Sequence, residues 1–488
     1  MWNRIPLTYG EKGVRAAKKK ILVIAGSVVA LIVVAAGAAL LMFNINAYKW
    51  KIEAAVSDAT GVDVKINGRI GLSFFPFGIS ASDIHVADKE GEVLSLERLK
   101  VGVEIIPLLR KHLKVTGCEV VKPAVTVVEY AEGKYNFERG EPTKGWLGTA
   151  FSVHRLKVFG GSLVYLDKRS GIKTELKEID LAATDLTVAD IPGEILKSLS
   201  FTGNMSCKEL RRKDLTIDSI TSSMKGEKGV FRFEPVTVNI FGAKGKGIFI
   251  ADASEPDAVY RINLNVPGLD FERFEESFGI KKMIGGKGDL VTALTVKDKW
   301  RRSLLSETSG TLSLGGNNLV TYTEDLDKVL SAYKTTQKFS LLDIGAFFLT
   351  GPLGSVALRG YHYGNLFYQA QGGRGTITTF VSRWKIEGGE ADAVDCALAT
   401  RHNRVALKGK LNLVSERYDN VTVALLDHNG CAMFTQGISG SLGHPEVGAV
   451  SAVESLAGPF VNLYRRAKKF VQGGKCEVFY AGSVQQPH

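Results

Sequence analysis

Cysteine is scarce in this 488-residue chain, and the five that occur, at 118, 207, 396, 431 and 476, never form a C-x-x-C pair. Zinc-ligand spacing is therefore absent, and an odd count leaves at least one thiol outside any disulfide framework. The eight histidines are dispersed in the same way, without H-E-x-x-H. His428 follows Asp427, but neighbours on a strand point to opposite faces. Walker A, G-x-S-x-G and Rossmann fingerprints are missing too. GAKGKG (242–247) has the glycines of a phosphate loop but sits inside a strand pattern, where it reads as a hairpin turn. No catalytic, cofactor-binding or metal-ligating residue is assigned on this basis, and the chain is read as a non-enzyme.

Clustered basic charge is also lacking. The formal net charge is +11, and five of those charges belong to residues 1–20, where Arg4, Lys12, Arg15, Lys18, Lys19 and Lys20 face the single acid Glu11. The rest of the chain is mildly basic, with no stripe, so a nucleic-acid footprint is excluded.

One long uncharged run is present. ILVIAGSVVALIVVAAGAALLMF (21–43) holds no charged residue. As a helix rising 1.5 Å per residue it would extend roughly 35 Å, enough to cross a hydrocarbon core. It exceeds a secretory h-region and no good A-x-A site follows it before Asn44, so it reads as an uncleaved anchor. The basic flank places residues 1–20 in the cytoplasm and everything after 44 on the far side.

Beyond the anchor, YKWKIEAAVSDATG (48–61) predicts a short helix closing on Gly61. Period-two alternation then dominates, broken by Gly, Pro, Asn and Asp. In VFRFEPVTVNIFGAKGKGIFI, Phe231 and Phe233 share a face opposite Arg232 and Glu234. Pro235 shifts the phase, so Val236, Val238 and Ile240 continue the apolar face, and FGAK turns into a partner strand. Similar units recur near 114–130, 151–166, 176–188, 259–267, 288–296, 309–314, 355–371, 375–387, 393–413 and 421–427. Helical stripes are confined to 269–280, 323–335 and 450–474, and each reads as core-facing.

The order of motifs in GVDVKINGRIGLSFFPFGISASDIHVAD and LSLERLKVGVEIIPLLRKHLKVTGCEVVKPAVTVVEYAEGKYNFE resembles the N-terminal region of the AsmA family. The elements are Asn67-Gly68, the Phe75-Pro76 turn, Leu94 to Val103, Pro107 to Arg110, Pro123 and Gly133 to Phe137. SGTLSLGGNNLVTYTEDLDKVLSAYK and FSLLDIGAFFLTGPLG resemble the family's C-terminal region, with Asn317-Asn318 departing from its usual pair. The resemblance implies a mainly β fold: an elongated, curled antiparallel sheet forming a taco-like groove, with a few short helices and one N-terminal transmembrane helix. It divides the chain into a cytoplasmic tail (1–20), an anchor (21–43), an AsmA-like N-terminal β region (44–190), a middle groove region (191–300) and an AsmA-like C-terminal region (301–488).

The same resemblance implies a single-pass inner-membrane protein of the Gram-negative envelope, mostly periplasmic. Its role would be that of a bridge-like lipid-transfer protein, moving phospholipid toward the outer membrane. The alternative is a structural factor for outer-membrane biogenesis that binds envelope proteins, its apolar face filled by its own helices. Phe231, Phe233, Val236, Val238 and Ile240 are the groove-wall candidates, chosen for alternation. If ~60% of the exported chain forms strands of about 11 residues, roughly 24 strands at ~4.8 Å would extend on the order of 115 Å. That length is short for bridging a cell envelope alone, so it predicts a distal envelope partner or a nearer target. Cys431 and Cys476 flank the last helical stripe, and an oxidising compartment favours a bridge between them over two buried thiols.

Overall fold

The computed structural model describes residues 45–452 and 476–487, apart from 61, 75, 89–90, 105–114, 131–135, 137–150, 189–194, 214, 256, 278–281, 299–303, 323–324, 337–340, 342–347, 349–373, 443 and 450. The apolar run 21–43, the expected strand 355–371 and the helical stripe 450–474 lie outside these, the last except for its first residues. Among the described residues, no helix is long and apolar enough to cross a membrane.

A 3-10 turn (Ile45–Tyr48) packs on β2 (Ile70–Phe74), and helix α1 (Lys49–Thr60), which follows it, packs on β1 (Asp63–Ile66). These two strands lie end to end along β3 (Phe77–Asp88), and β2 and β3 form a hairpin in which Phe74 pairs with Phe77. β4 (Gly91–Val103) follows, then β5 (Val115–Val121) and β6 (Ala124–Glu129), which share one position and break at Lys122-Pro123. Next come β7 (Phe151–Asp167), β8 (Ile172–Val188), α2 (Ile195–Ser198), β9 (Leu199–Arg212), β10 (Leu215–Glu227), β11 (Val230–Ile240), β12 (Ala243–Asp252) and β13 (Ala258–Asp270). Helix α3 (Phe271–Ser277) leads to β14 (Ile284–Gly285), β15 (Lys287–Asp298) and β16 (Thr308–Thr321). Helix α4 (Leu326–Thr336) precedes β17 (Gly375–Glu387), β18 (Glu390–Ala399), β19 (Arg404–Asn412), β20 (Arg417–Leu426), β21 (Ala432–Ser441), β22 (His444–Val447) and β23 (Ser451–Ala452).

Among the described residues, all 23 strands join one sheet. The expectation of a wholly antiparallel sheet is corrected: β5 and β6 both pair parallel with β7. A parallel neighbour needs a crossover of a dozen residues or more, and residues 130–150 supply that length. The expected span is corrected too. β1/β2, β5/β6, β14/β15 and β22/β23 each share a position, so the strands occupy nineteen positions, about 86 Å at ~4.8 Å spacing.

Local sequence explains the hairpins. β11 turns into β12 through Phe241 and Gly242, with φ of 50° and 72°, the primed two-residue turn that matches strand twist. A phenylalanine is strained at positive φ, but its ring lies 4.9 Å from Phe274 in a T-shaped contact and is buried. The register shift between Phe233 and Val236 falls at Pro235, as the phase change predicted.

The two long faces are treated differently along the sheet. In β16–β21 the inner face is packed solid, with Leu314, Phe380, Leu398, Val405, Val423 and Leu425 at zero exposure. The outer face is covered there as well: Ala397, Ala399, Ala406, Ala424 and Leu426 form a second cluster with Tyr480 and Val484. Residues 476–487 are held in place by Asp395, which accepts hydrogen bonds from Tyr480 Oη (2.5 Å) and Ser483 Oγ (2.7 Å), and by Arg404, which donates to the Val484 carbonyl at 3.1 Å. Cys431 and Cys476 are joined as a disulfide with Cα atoms 6.2 Å apart, within the usual range.

Helix α4 is fastened at its first turn. Asp327 accepts hydrogen bonds from Thr400 Oγ1, the His402 backbone N–H, His402 Nδ1 and Asn403 Nδ2, at 2.5, 2.9, 2.7 and 3.0 Å. Burial alone would raise its carboxyl pKa, but these donors hold it at about 2. Its contribution to stability is complete above the ordinary value of 3.8 and is lost as the pH falls through about 2. Replacing Asp327 with alanine is expected to cost about 1–3 kcal/mol at neutral pH by orphaning these donors, with the deficit shrinking in acid; urea unfolding against pH measures it. Reducing the Cys431–Cys476 bridge, or Cys476→Ser, is expected to lower stability by up to about 4 kcal/mol for a loop of this length. Denaturant midpoints with and without reductant check that value.

Candidate functional site

The inner face of β8–β15 differs from that of β16–β21 because only half of it is covered. One rim of the sheet carries the turns 168–171, 241–242 and 400–403, and α3 and α4 follow strands that end there. The opposite rim carries the turns 228–229, 253–257 and 388–389.

Along the first rim, α3 lies over the sheet. Phe271 and Phe274 are 1% exposed and pack with Phe241, Val266 and Leu269. Phe271 also reaches Phe380, 6.1 Å between ring centroids, and Phe348 stacks on Phe380 from the other side at 6.0 Å. Leu326 and Leu330 of α4, with Leu341, complete this cover.

Toward the opposite rim the cover stops and a row of aromatic rings takes its place. Phe201 of β9, Phe231 and Phe233 of β11, Phe249 of β12 and Tyr260 of β13 are all half-buried. Phe201 stacks on Phe231 at 6.2 Å, Phe233 meets Phe249 at 5.5 Å, and Phe249 stacks on Tyr260 at 6.4 Å. Phe201 and Phe231 are two strands apart, and Gly226 of β10 lies between them in register. A Cβ at 226 would sit 2.5 Å from the Phe201 ring. The missing side chain is what lets the two rings meet across β10.

The five groove-wall candidates are therefore split by depth. Phe231, Phe233 and Val236 are half-buried, Val236 against the edge of the core. Val238 and Ile240, at 5% and 6% exposure, are core residues beneath the rim that α3 covers. Sequence reading did not single out Phe201, Phe249 and Tyr260, although Phe201, Gly203 and Met205 alternate as Phe231 and Phe233 do. Their cross-strand pairing was the missing information.

Glu275 is the chemically unusual group at this site. It is 1% exposed on α3, and its carboxylate accepts hydrogen bonds from the backbone N–H groups of Met283 (2.8 Å) and Ile284 (3.2 Å). These bonds tie α3 to β14 and so hold it over the sheet. Burial pushes its carboxyl up to about 8, against the downward pull of the two N–H donors. Nothing in FERFEES distinguishes this glutamate from its solvent-facing neighbours.

One group of possible metal-ligand atoms comes together among the described residues: Asp427, Cys431 and Cys476. The two sulfurs are already bonded to each other, and Asp427 Oδ1 already accepts from the backbone N–H groups of Asn429 and Cys431 at 2.8 Å each. The set does not fit a metal, because a disulfide sulfur has no thiolate to offer.

Residues 15–193 match the AsmA family. Over that stretch the chain resembles the AsmA family. No curated protein and no solved structure matches it. The AsmA region ends just after β8, so the aromatic row on β9–β13 and the helical cover lie beyond it, and so do the segments 309–334 and 339–354 that resemble the family's C-terminal end.

Because the folded-state pKa of Glu275 lies above its ordinary value of 4.5, its burial costs nothing below 4.5 and progressively more as the pH rises through about 8. Glu275→Gln keeps an oxygen for the two N–H donors and removes the titration. The thermal midpoint of the parent is expected to fall between pH 4.5 and 8 relative to the variant, which stays flatter over that window. Melting curves across the pH range decide it, and equal slopes would count against the buried carboxylate.

Proposed function

We propose that this chain is an inner-membrane-anchored carrier that moves phospholipid toward the outer membrane along the inner face of its sheet, without catalysing a reaction. In this reading residues 21–43 span the inner membrane, residues 1–20 face the cytoplasm and the sheet stands in the periplasm. The AsmA region supports an envelope role in lipid transport. The observation that carries the reading is the half-exposed aromatic row running from Phe201 to Tyr260 across five strands.

A phospholipid in water exposes its acyl chains, and ~16 methylenes at ~0.8 kcal/mol each make about 13 kcal/mol per chain. A contiguous apolar strip removes most of that cost at each step of a transfer. Flat aromatic rings suit the purpose, because they offer area without demanding one registered partner. The outer face of the same strands is charged, with Lys225, Glu227, Arg232 and Glu234 in exposed ion pairs, so the strip is apolar on one side only.

A second reading, an assembly factor that binds envelope proteins, is favoured by one observation. The inner face of β16–β21 is filled by the chain's own side chains, and a filled face carries no lipid.

Photo-crosslinking in cells separates the two. Probes at Phe231 and Phe249 are expected to capture phospholipid, while a probe at the fully buried Leu314 captures none. Protein adducts alone at Phe231 and Phe249 would move the assignment to the assembly factor.

A further inference from the structure

Helix α1 is amphipathic in the opposite sense to an ordinary surface helix. Lys49, Glu53 and Ser57, with Ile52, turn inward to the sheet, while Lys51 and Asp58 are exposed on the other side. Asn46, in the preceding turn, pairs twice with Ile70, accepting from its N–H at 2.8 Å and donating to its carbonyl at 3.0 Å. Lys49 Nζ donates to the Gly68 carbonyl at 3.2 Å, Glu53 accepts from the Ile66 N–H at 2.7 Å, and Ser57 accepts from the Val64 N–H at 2.9 Å. Residues 46, 49, 53 and 57 follow the three-and-four spacing of one helix face. Together they satisfy the free edge of β1 and β2, which would otherwise present unpaired backbone groups.

The side left facing outward carries Tyr48, Trp50, Ala54, Ala55 and Val56, with Trp50 64% and Tyr48 47% exposed. Lys51 lies over both rings, 5.3 Å from Trp50 and 5.5 Å from Tyr48. Exposing these rings to water is unfavourable, and aromatic rings beside a lysine suit a membrane interface. The uncharged run 21–43 ends seven residues before Trp50.

From this geometry we infer that the outer face of α1 lies on the bilayer surface, in the zone between headgroups and acyl chains, with Trp50 as its anchor and Lys51 among anionic headgroups. The inference rests on the proposed spanning of residues 21–43. Because α1 and the turn before it are bonded to β1, β2 and the link between them at five points, the contact also orients the sheet: its first edge is held at the membrane by a rigid joint. An apolar run connected through a flexible linker would leave that orientation free.

The test is bromolipid quenching of tryptophan fluorescence in the full chain, reconstituted in vesicles of equal parts phosphatidylethanolamine and phosphatidylglycerol. Trp50→Phe, at an exposed position, isolates the Trp50 signal by difference. Bromines near the carbonyl end of the acyl chain are expected to quench that signal about twofold, as for a ring buried roughly 5–10 Å into the interface, while bromines at the methyl end do so weakly and aqueous iodide scarcely at all. Free quenching by iodide without quenching by lipid overturns the inference. So does protection from both, which would mean that a protein or a second copy covers α1. Failure of lipid crosslinking at Phe231 with Trp50 still quenched would remove the transfer reading and leave this contact standing.

Discussion

A sheet that keeps one face apolar over nineteen positions has to hide that face from water, and most of this structure follows from how it does so. At β16–β21 the answer is ordinary packing. Helix α4, Leu341 and Phe348 fill the inner face, and residues 476–487 cover the outer one. At β8–β15 the cover is a single two-turn helix, α3, which reaches only one rim. Burial of Val238 beside half-exposure of Phe231 on the same strand face is the local signature of that limited reach.

The sheet's edges impose a second requirement, because an unpaired edge recruits other strands. The first edge is closed by side chains that act as a surrogate strand, Asn46, Lys49, Glu53 and Ser57 standing in for backbone groups. A similar device appears inside the sheet. Asn136 accepts from the Val128 N–H and donates to the Thr126 carbonyl, continuing the pairing of β6 where β4 has left it. At the far end, β22 is four residues long and contains Pro445, features that discourage strand addition. A distal partner that binds by extending the sheet finds little to pair with there.

Much of this was legible in the alternation of side chains. The strands, the phase shift at Pro235, the β2–β3 hairpin and the core-facing stripe of α3 all follow from local pattern, because each is decided within a few residues. The parallel pairing of β5 and β6 with β7 was not legible, since it depends on the route of residues 130–150. Nor was the aromatic row. Phe201, Phe231 and Tyr260 are distant in sequence, and only the register that places Gly226 between two rings makes them one surface. Glu275 was hidden for a different reason: its neighbours are ordinary surface glutamates, and burial was decided by where α3 comes to rest.

The location of the cover bears on any route for lipid. The half-exposed row begins on β9, continues to β13, passes to half-buried Leu294 and Val296 of β15 and meets, at β16, an inner face where Leu312 and Leu314 are buried. Within the proposed transfer reading, a lipid travelling along the strip from the membrane side therefore reaches a closed wall before the sheet ends. It has to leave sideways over the rim that carries turns 228–229 and 253–257, where α3 does not reach. A conduit open at both ends would instead show the same half-exposure on Leu314, Phe380 and Leu398, all of which are fully buried. The filled C-terminal third and the half-covered middle are thus parts of one arrangement. The first supplies a rigid two-faced core, and the second, supported by it, keeps a one-sided apolar surface from collapsing onto itself.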